Sequence, residues 1–451
     1  MVYLALKWLM RVTVQFFFKT VQIKNKEAIP KKAPLLILAN HPSMLMDPVI
    51  VASILNRKVY FLAKGALFQG KFAQWLLPKL GIIPVHRVQD DPTQLARNAS
   101  TFKKCFEHLE KGDAILMFPE GISITQRKLQ PLKTGAAKIA LSTESRNNNQ
   151  LGLQILVIGL HYDDQHKFNR DLLVHIHDPI DVPAFIQSQQ GETGNKSAEI
   201  LTEIIRTKLE EVVVSIEDEA NDKLVRVIED IYKQDLLDQS SSNLTTQEKD
   251  FLITQKIGKA VNYYATVSPD RVEHLRKMIQ SYQNKLDILK LNDKEIRNQH
   301  NLQFSLIHFW SIVQIVIGFP IYLYGLINNI IPFQIPDWTG DQFKDKDMKG
   351  SVGMVLGGVT FLVFYTVQII LMQLYFHSYI LTLLYGISLP VSGFFTYYYW
   401  YAMLRFKTRW HLYNMFRSKR GTISSLIKDR SNIIHELNDL KDGFLATTQK
   451  V

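Results

Sequence analysis

The sequence predicts an α/β fold with a central sheet flanked by helices, followed by a helical region and C-terminal transmembrane helices. Three observations carry this. Between residues 34 and 180, short apolar runs alternate with helix-like stretches, as in layered α/β domains. From 198 to 300, apolar residues recur at helical spacing. After 304, charge almost vanishes over runs longer than the roughly 20 residues that span a bilayer.

At the N-terminus, "MVYLALKWLMRVTVQFFFKTVQIKNK" is not a secretory signal, because Lys7 and Arg11 interrupt it and no small-residue cleavage site follows. Leu4, Trp8, Val12 and Phe16 share a helical face, with Lys7, Arg11 and Lys19 largely off it. Residues 1–25 are therefore expected to form an amphipathic helix in a membrane interface, a plain core-facing helix being the alternative. Strands are expected at 35–39, 59–63, 81–85, 114–118, 153–160 and 172–177, with helices at 94–110 and 134–143, in an α/β domain spanning 26–186. The polar "QSQQGETGNKS" at 187–197 reads as a linker.

In the helical region 198–300, Ile200, Leu201, Ile204, Ile205, Leu209 and Val212 form one stripe. Val272, Leu275, Ile279, Tyr282, Leu286 and Leu289 form a second, suited to packing on a helix of the same chain rather than on another copy. The runs 304–333, 351–376 and 379–404 make a transmembrane region over 304–404, with an aromatic belt "TYYYWY" at 396–401. The tail 405–451 carries Arg405, Lys407, Arg409, Arg417, Lys419 and Arg420 in its first part, so the positive-inside rule puts it in the cytosol. Three full spans would separate the two flanks. If both flanks are cytosolic, one segment is re-entrant or doubled, and Pro320 marks a place for a break.

The 451-residue chain has a formal charge of +11, which favours an anionic partner. The basic excess lies beside the membrane runs, where anionic lipid explains it better than nucleic acid. Cys105 is the one cysteine, so an internal disulfide is excluded. "HIH" at 175–177 offers two imidazoles but no third ligand, and no metal site is expected.

The chemistry starts at "ANHPSMLMDPVI", 39–50, where His41 and Asp47 follow an apolar strand. A neutral imidazole can take a proton from an alcohol, and a carboxylate on its other nitrogen fixes the tautomer. Ser43 would point away from His41, so no protein nucleophile is presented. That pattern suits direct attack by a substrate hydroxyl on an activated acyl group. Arg87 closes the strand "GIIPVHR" and is suited to forking a phosphate. "MFPEG" puts Glu120 and Gly121 where another strand turns, so that Glu120 could hold a glycerol hydroxyl or brace the Arg87 site. Lys133 stands at the N-terminus of the helix expected over 134–143, where free N–H groups favour an anion.

In this order, "NH…D", "GIIPVHR", "FPEG" and a later apolar strand resemble the glycerolipid acyltransferase family, over about residues 20–185. The resemblance implies an acyltransferase-like α/β domain with a central mixed sheet. It implies that His41 is the base, that Asp47 orients it, and that the second and third blocks bind glycerol phosphate. The resemblance carries substrate binding to Arg87, Glu120 and Gly121, and with Ser123 and Lys133 these make the expected substrate-binding set. Five residues separate His41 from Asp47, where the family usually has four, and a subgroup similar to fungal glycerol-3-phosphate/dihydroxyacetone-phosphate acyltransferases and bacterial relatives shares the longer spacing. Ile158 and Gly159 stand where the family's fourth block carries proline, which bears on acceptor choice more than on reaction type.

The expected activity is transfer of a fatty acyl chain from acyl-CoA or acyl carrier protein to glycerol 3-phosphate or its 1-acyl form. No cofactor is expected beyond the acyl donor. The partners are glycerol phosphate or lysophosphatidic acid and a phospholipid membrane, with the catalytic domain on the cytosolic face (inner membrane in a bacterium, endoplasmic reticulum in a eukaryote). The alternatives are another lipid acceptor, or a membrane scaffold or transporter-like protein with an inactive acyltransferase domain. Activity on purified protein separates them.

Overall fold

The computed structural model describes residues 2–86, 98–189, 194–216, 218–239, 243–297, 306–343, 346–418 and 420–448. The chain divides into two compact units, Met1–Ile216 with Thr339–Gly358, and Glu217–Trp338 with Val359–Val451.

The first unit opens with helix α1 (Val2–Phe17) and strand β1 (Thr20–Lys24). Then follow β2 (Leu35–Ala39), α2 (Met46–Ile54), β3 (Val59–Lys64), α3 (Lys71–Lys79), β4 (Ile82–Val85) and α4 (Asn98–Glu110). Next come β5 (Ala114–Met117), α5 (Gly135–Arg146), β6 (Gln154–Tyr162), β7 (Asp171–Ile176), β8 (Ile180–Asp181), α6 (Val182–Ser188) and α7 (Asn195–Val212). The sheet runs in the order β1-β7-β6-β2-β5-β3-β4, with β8 on β6. It is mixed: β4, β3, β5, β2 and β6 are parallel, and β7 runs antiparallel to β6 while β1 parallels β7.

β2 is buried along its whole length because both faces of the sheet are covered, so it reads as a continuous apolar run. Its residues alternate between two cores, as a period of two requires. Leu36 and Leu38 pack with α4, α5 and α7 through Leu109, Ala137, Ile139, Leu201 and Leu209. Leu35, Ile37 and Ala39 face α1 and α2 through Val14, Met46, Ile50 and Val51.

Two expected boundaries move. The segment expected as one helix over 1–25 ends its helix at Phe17, and Thr20–Lys24 pairs in register with Asp171–His175. The alternation in "TVQIK" suits an edge strand, and the ladder with β7 decides the matter. The α/β domain does not end at 186: α7 buries the Leu201, Ile205, Leu209 and Val212 stripe against the sheet. Gly159 makes this possible, since a Cβ there would lie 1.9 Å from the Val212 carbonyl oxygen.

The second unit holds α8 (Glu219–Gln239), α9 (Thr246–Val267), α10 (Pro269–Leu289) and α11 (Asp293–Arg297). Three long apolar helices follow, α12 (Leu306–Asp341), α13 (Lys346–Phe376) and α14 (Tyr379–Ser418), then α15 (Arg420–Thr448). α9 starts with a capping box between Thr245 and Glu248. In α10, Val272, Leu275, Ile279, Tyr282 and Leu286 are buried.

The tail expected as a basic cytosolic extension is helical and docked. Arg430 bonds Asp293 and Asp235, each at 3.0 Å, while Lys285–Asp429 and Arg271–Glu436 close at 2.7 Å. The apolar stripe of α15 (Ile423, Leu426, Ile433, Leu437) is buried, which the cluster of cations at its start hid from the sequence reading.

α12, α13 and α14 are each long and apolar enough to cross a membrane. α12 does not break at Pro320; it runs through Pro320, Pro332 and Pro336. A proline frees the carbonyl four residues before it. The Asn328 carbonyl freed by Pro332 accepts from Gln368 Nε2 at 3.0 Å, and the Pro332 carbonyl freed by Pro336 accepts from Thr360 Oγ1 at 3.1 Å. Neighbouring side chains thus satisfy the backbone groups that water would otherwise have to reach.

Candidate active site

β2 and β5 run side by side in parallel, so the loops leaving their C-terminal ends meet at one edge of the sheet. Ligand sites in open α/β sheets form at such edges. From β2 comes "NHPSMLMD" and from β5 comes "FPEG". Asn40 anchors the first loop by imitating a backbone amide: its Oδ1 accepts from Leu160 N–H at 2.7 Å and its Nδ2 donates to Leu160 O at 3.1 Å. This prolongs the β2–β6 ladder by one side chain.

His41 and Asp47 meet, with His41 Nδ1 lying 2.8 Å from Asp47 Oδ2. The five residues between them are taken up by a turn that starts α2. Asp47 N–H donates to Ser43 O at 3.2 Å, and Ser43 N–H donates to Asp47 Oδ2 at 2.7 Å. Asp47 therefore sits in the first turn of α2, where the helix dipole favours a carboxylate. Its other oxygen accepts from the Tyr162 hydroxyl at 2.5 Å. Burial pushes the Asp47 carboxyl above its usual range, and the contacts with His41, Tyr162 and Ser43 N–H oppose that rise. The Tyr162 phenol is held well above its ordinary value by burial and by the adjacent Asp47.

The imidazole lies flat on Phe118, with centroids 3.7 Å apart and planes 6° from parallel. With Nδ1–H donated to Asp47, the Nε2 lone pair is the proton acceptor, and the His41 side chain keeps 14% exposure while that of Asp47 has none. Ser43 points elsewhere: its hydroxyl is 2.7 Å from that of Ser351.

Glu120 is largely buried, and its carboxylate accepts from the backbone N–H of Gln130 at 2.9 Å and from that of His41. Burial raises its pKa above the ordinary 4.5, with both backbone bonds opposing. The bracing anticipated for Arg87 is thus directed, among the described residues, at the His41 backbone. Gly121 has φ +73°, a left-handed turn that favours glycine, and Lys133 Nζ lies beside it, 2.8 Å from where a Cβ would stand. Lys133 is exposed just before α5, and its N–H donates to Pro119 O at 2.9 Å, tying that helix start to the "FPEG" turn. Ser123 is half-buried on the same loop, whose Ile124 N–H reaches His41 O at 3.2 Å. Arg87 lies outside the described residues; it follows His86, the residue after β4.

The sequence reading missed Tyr162 and the bracing part of Asn40. Asn40 is adjacent to the histidine and was legible as part of "NH". Tyr162 ends a strand 115 residues beyond Asp47, and only the β2–β6 pairing brings it near. Among the described residues no group of three or more His, Cys, Asp or Glu side chains is placed to hold a metal ion.

A family model described as "Acyltransferase" matches residues 20–161. An uncharacterized acyltransferase of Schizosaccharomyces pombe is 21% identical over 67% of this chain and 56% of its own length. Glycerol-3-phosphate O-acyltransferase 1 of Saccharomyces cerevisiae is 30% identical over 29% of this chain and 17% of its own. The 1-acyl-sn-glycerol-3-phosphate acyltransferase of Bacillus subtilis is 29% identical over 27% of this chain and 56% of its own. The chain thus spans little more than half the length of these relatives, or less. The segment matched by the acyltransferase model thus contains the His41–Asp47 dyad, assembled at its parallel-strand edge.

Proposed function

We propose that this protein transfers a fatty acyl chain from a thioester, acyl-CoA or acyl carrier protein, to a hydroxyl of glycerol 3-phosphate or its 1-acyl form. The observation that carries this is the 2.8 Å bond from His41 Nδ1 to a fully buried carboxylate, on an imidazole that keeps 14% of its side-chain surface exposed. The acceptor hydroxyl gives its proton to Nε2 as its oxygen attacks the thioester carbonyl. Asp47 stabilises the imidazolium, which then protonates the departing thiolate as the tetrahedral centre collapses. Arg87 and Lys133 are the cations proposed for the phosphate, which fixes the hydroxyl in reach of the base. The relatives named for glycerol 3-phosphate and for 1-acyl-sn-glycerol 3-phosphate support both acceptors. No cofactor takes part in these steps.

The test is acyl transfer by purified full-length protein in lipid vesicles, with glycerol 3-phosphate and lysophosphatidic acid compared as acceptors and acyl-CoA and acyl carrier protein as donors. Transfer to neither acceptor from either donor would sink the reading.

The apolar helices make the protein membrane-associated. We infer two crossings, both flanks of the membrane region lying on the catalytic face, which is cytosolic. α12 runs antiparallel to α14, from the Ile315–Tyr399 contact to Asn329–Leu389, and then antiparallel to α13, from Pro332–Thr360 to Gly340–Lys349. A helix that enters along one neighbour and leaves along the other returns to its starting face, so α13 and α14 supply the crossings. Docking of α15 against α10 and α11 agrees, because both flanks belong to one bundle. Single cysteines at Asn284 and Gln342, in a chain with Cys105 replaced, would be labelled from the same face; labelling from opposite faces would refute the re-entrant helix.

A further inference from the structure

α13 begins as part of the catalytic unit. Gly350 lies flush on the Gln165 carbonyl oxygen, where a Cβ would come to 2.2 Å, and Gly358 lies equally close to the Thr13 hydroxyl. Between them Met354 is fully buried in the core beneath β2 and α2. The same turns bring Ser351 to the loop that joins His41 to Asp47. Ser43 and Ser351 are both wholly buried, with their hydroxyls 2.7 Å apart. Leu45 N–H also points at Ser351 Oγ, at 3.4 Å. Ser43 in turn donates its N–H to Asp47 Oδ2, the oxygen that holds His41.

We propose that Ser351 is a positioning residue for the His41–Asp47 dyad, acting through Ser43. The inference rests on the proposed acyl-transfer reading of the site. The physical need comes from the loop itself. With five residues between base and carboxylate, the turn needs a partner for the Ser43 hydroxyl, because a buried hydroxyl left without one is costly. No residue inside the loop supplies that partner; it comes from 308 residues away. α13 therefore does more than anchor the enzyme, since its first turns complete the wall behind the dyad.

The test uses full-length protein in lipid vesicles. Ser351→Ala is expected to lower kcat about tenfold to a hundredfold, the scale of a small misplacement of a reacting group, with KM for both substrates within about twofold. The double variant Ser43→Ala with Ser351→Ala should be no worse than the poorer single variant, because the two hydroxyls act as one link. Gly353→Ala, where a Cβ meets open space, should keep wild-type activity. A substrate-independent arm measures carbethoxylation of His41 by diethyl pyrocarbonate. His41 is the only histidine between Lys32 and Arg57, so one tryptic peptide reports it. Ser351→Ala should change that rate severalfold while the exposed His435 reacts as before. Unchanged kcat together with an unchanged His41 rate overturns the proposal, as does a loss in Gly353→Ala equal to that in Ser351→Ala. If wild type transfers to neither glycerol phosphate, the activity reading fails by itself, and His41 labelling still decides whether Ser351 positions the dyad.

Discussion

Two histidine–aspartate pairs in this molecule look alike in a list of distances. His41 and Asp47 are 2.8 Å apart; His108 and Asp113 are 2.9 Å apart. Each imidazole also rests on an aromatic ring at 3.7 Å, Phe118 in one case and Tyr60 in the other. Their surroundings differ. Asp47 has no exposed side-chain surface and accepts from a backbone N–H and a tyrosine as well as from histidine. Asp113 keeps 31% of its side-chain surface in water, just before β5 and at the opposite end of that strand from "FPEG". Distance therefore does not make a dyad. A dry carboxylate whose remaining lone pairs are spoken for, placed where parallel strands end, does.

His41→Ala should break the comparison most sharply, lowering kcat/KM by about a thousandfold or more, the contribution expected of a general base. Folding should be retained, because the ring is partly exposed. Steady-state kinetics and thermal unfolding check both statements. Tyr162→Phe leaves the dyad but removes a donor from a buried carboxylate. A bond of that kind contributes about 1.5–3 kcal/mol, so kcat should fall roughly tenfold or more, with the KM values little changed.

Glu120 tests the same dry environment through pH. Its folded pKa lies above 4.5, so the native state holds a proton that the unfolded state has already lost. Unfolding free energy from this group therefore falls as pH rises from the ordinary carboxylate range through the folded pKa, and is flat above it. Glu120→Gln should remove that part of the pH dependence, measured as the difference between wild-type and variant unfolding curves at several pH values. An identical slope in the two proteins would contradict the burial argument. The smallest effect is expected of His108→Ala: unchanged kcat, and a stability loss of about 0.5 kcal/mol or less, as for a partly solvated ion pair.

Much of the catalytic unit was legible because its signals are local. The β2, β3, β5 and β7 runs stood out as apolar segments of strand length, and the two site loops directly follow two of them. The "NH…D" and "FPEG" residues lie next to strand ends, so their placement needed only strand order. β1 was hidden because a short edge strand with three polar residues among five looks like the end of the preceding helix. α15 was hidden because its apolar stripe is sparse and its start is crowded with cations.

By itself the sequence determined the alternation of strands and helices, the apolar helices and the candidate base with its carboxylate, since each depends on neighbours within a few residues. Only the tertiary structure decided that an extra residue between His41 and Asp47 is absorbed by the first turn of α2, that Tyr162 bonds Asp47, and that Ser351 bonds Ser43. The last two rest on hydrogen bonds between groups 115 and 308 residues apart. Such bonds form only when the sheet and the helix packing have already brought the partners together, and no local pattern of side chains encodes them.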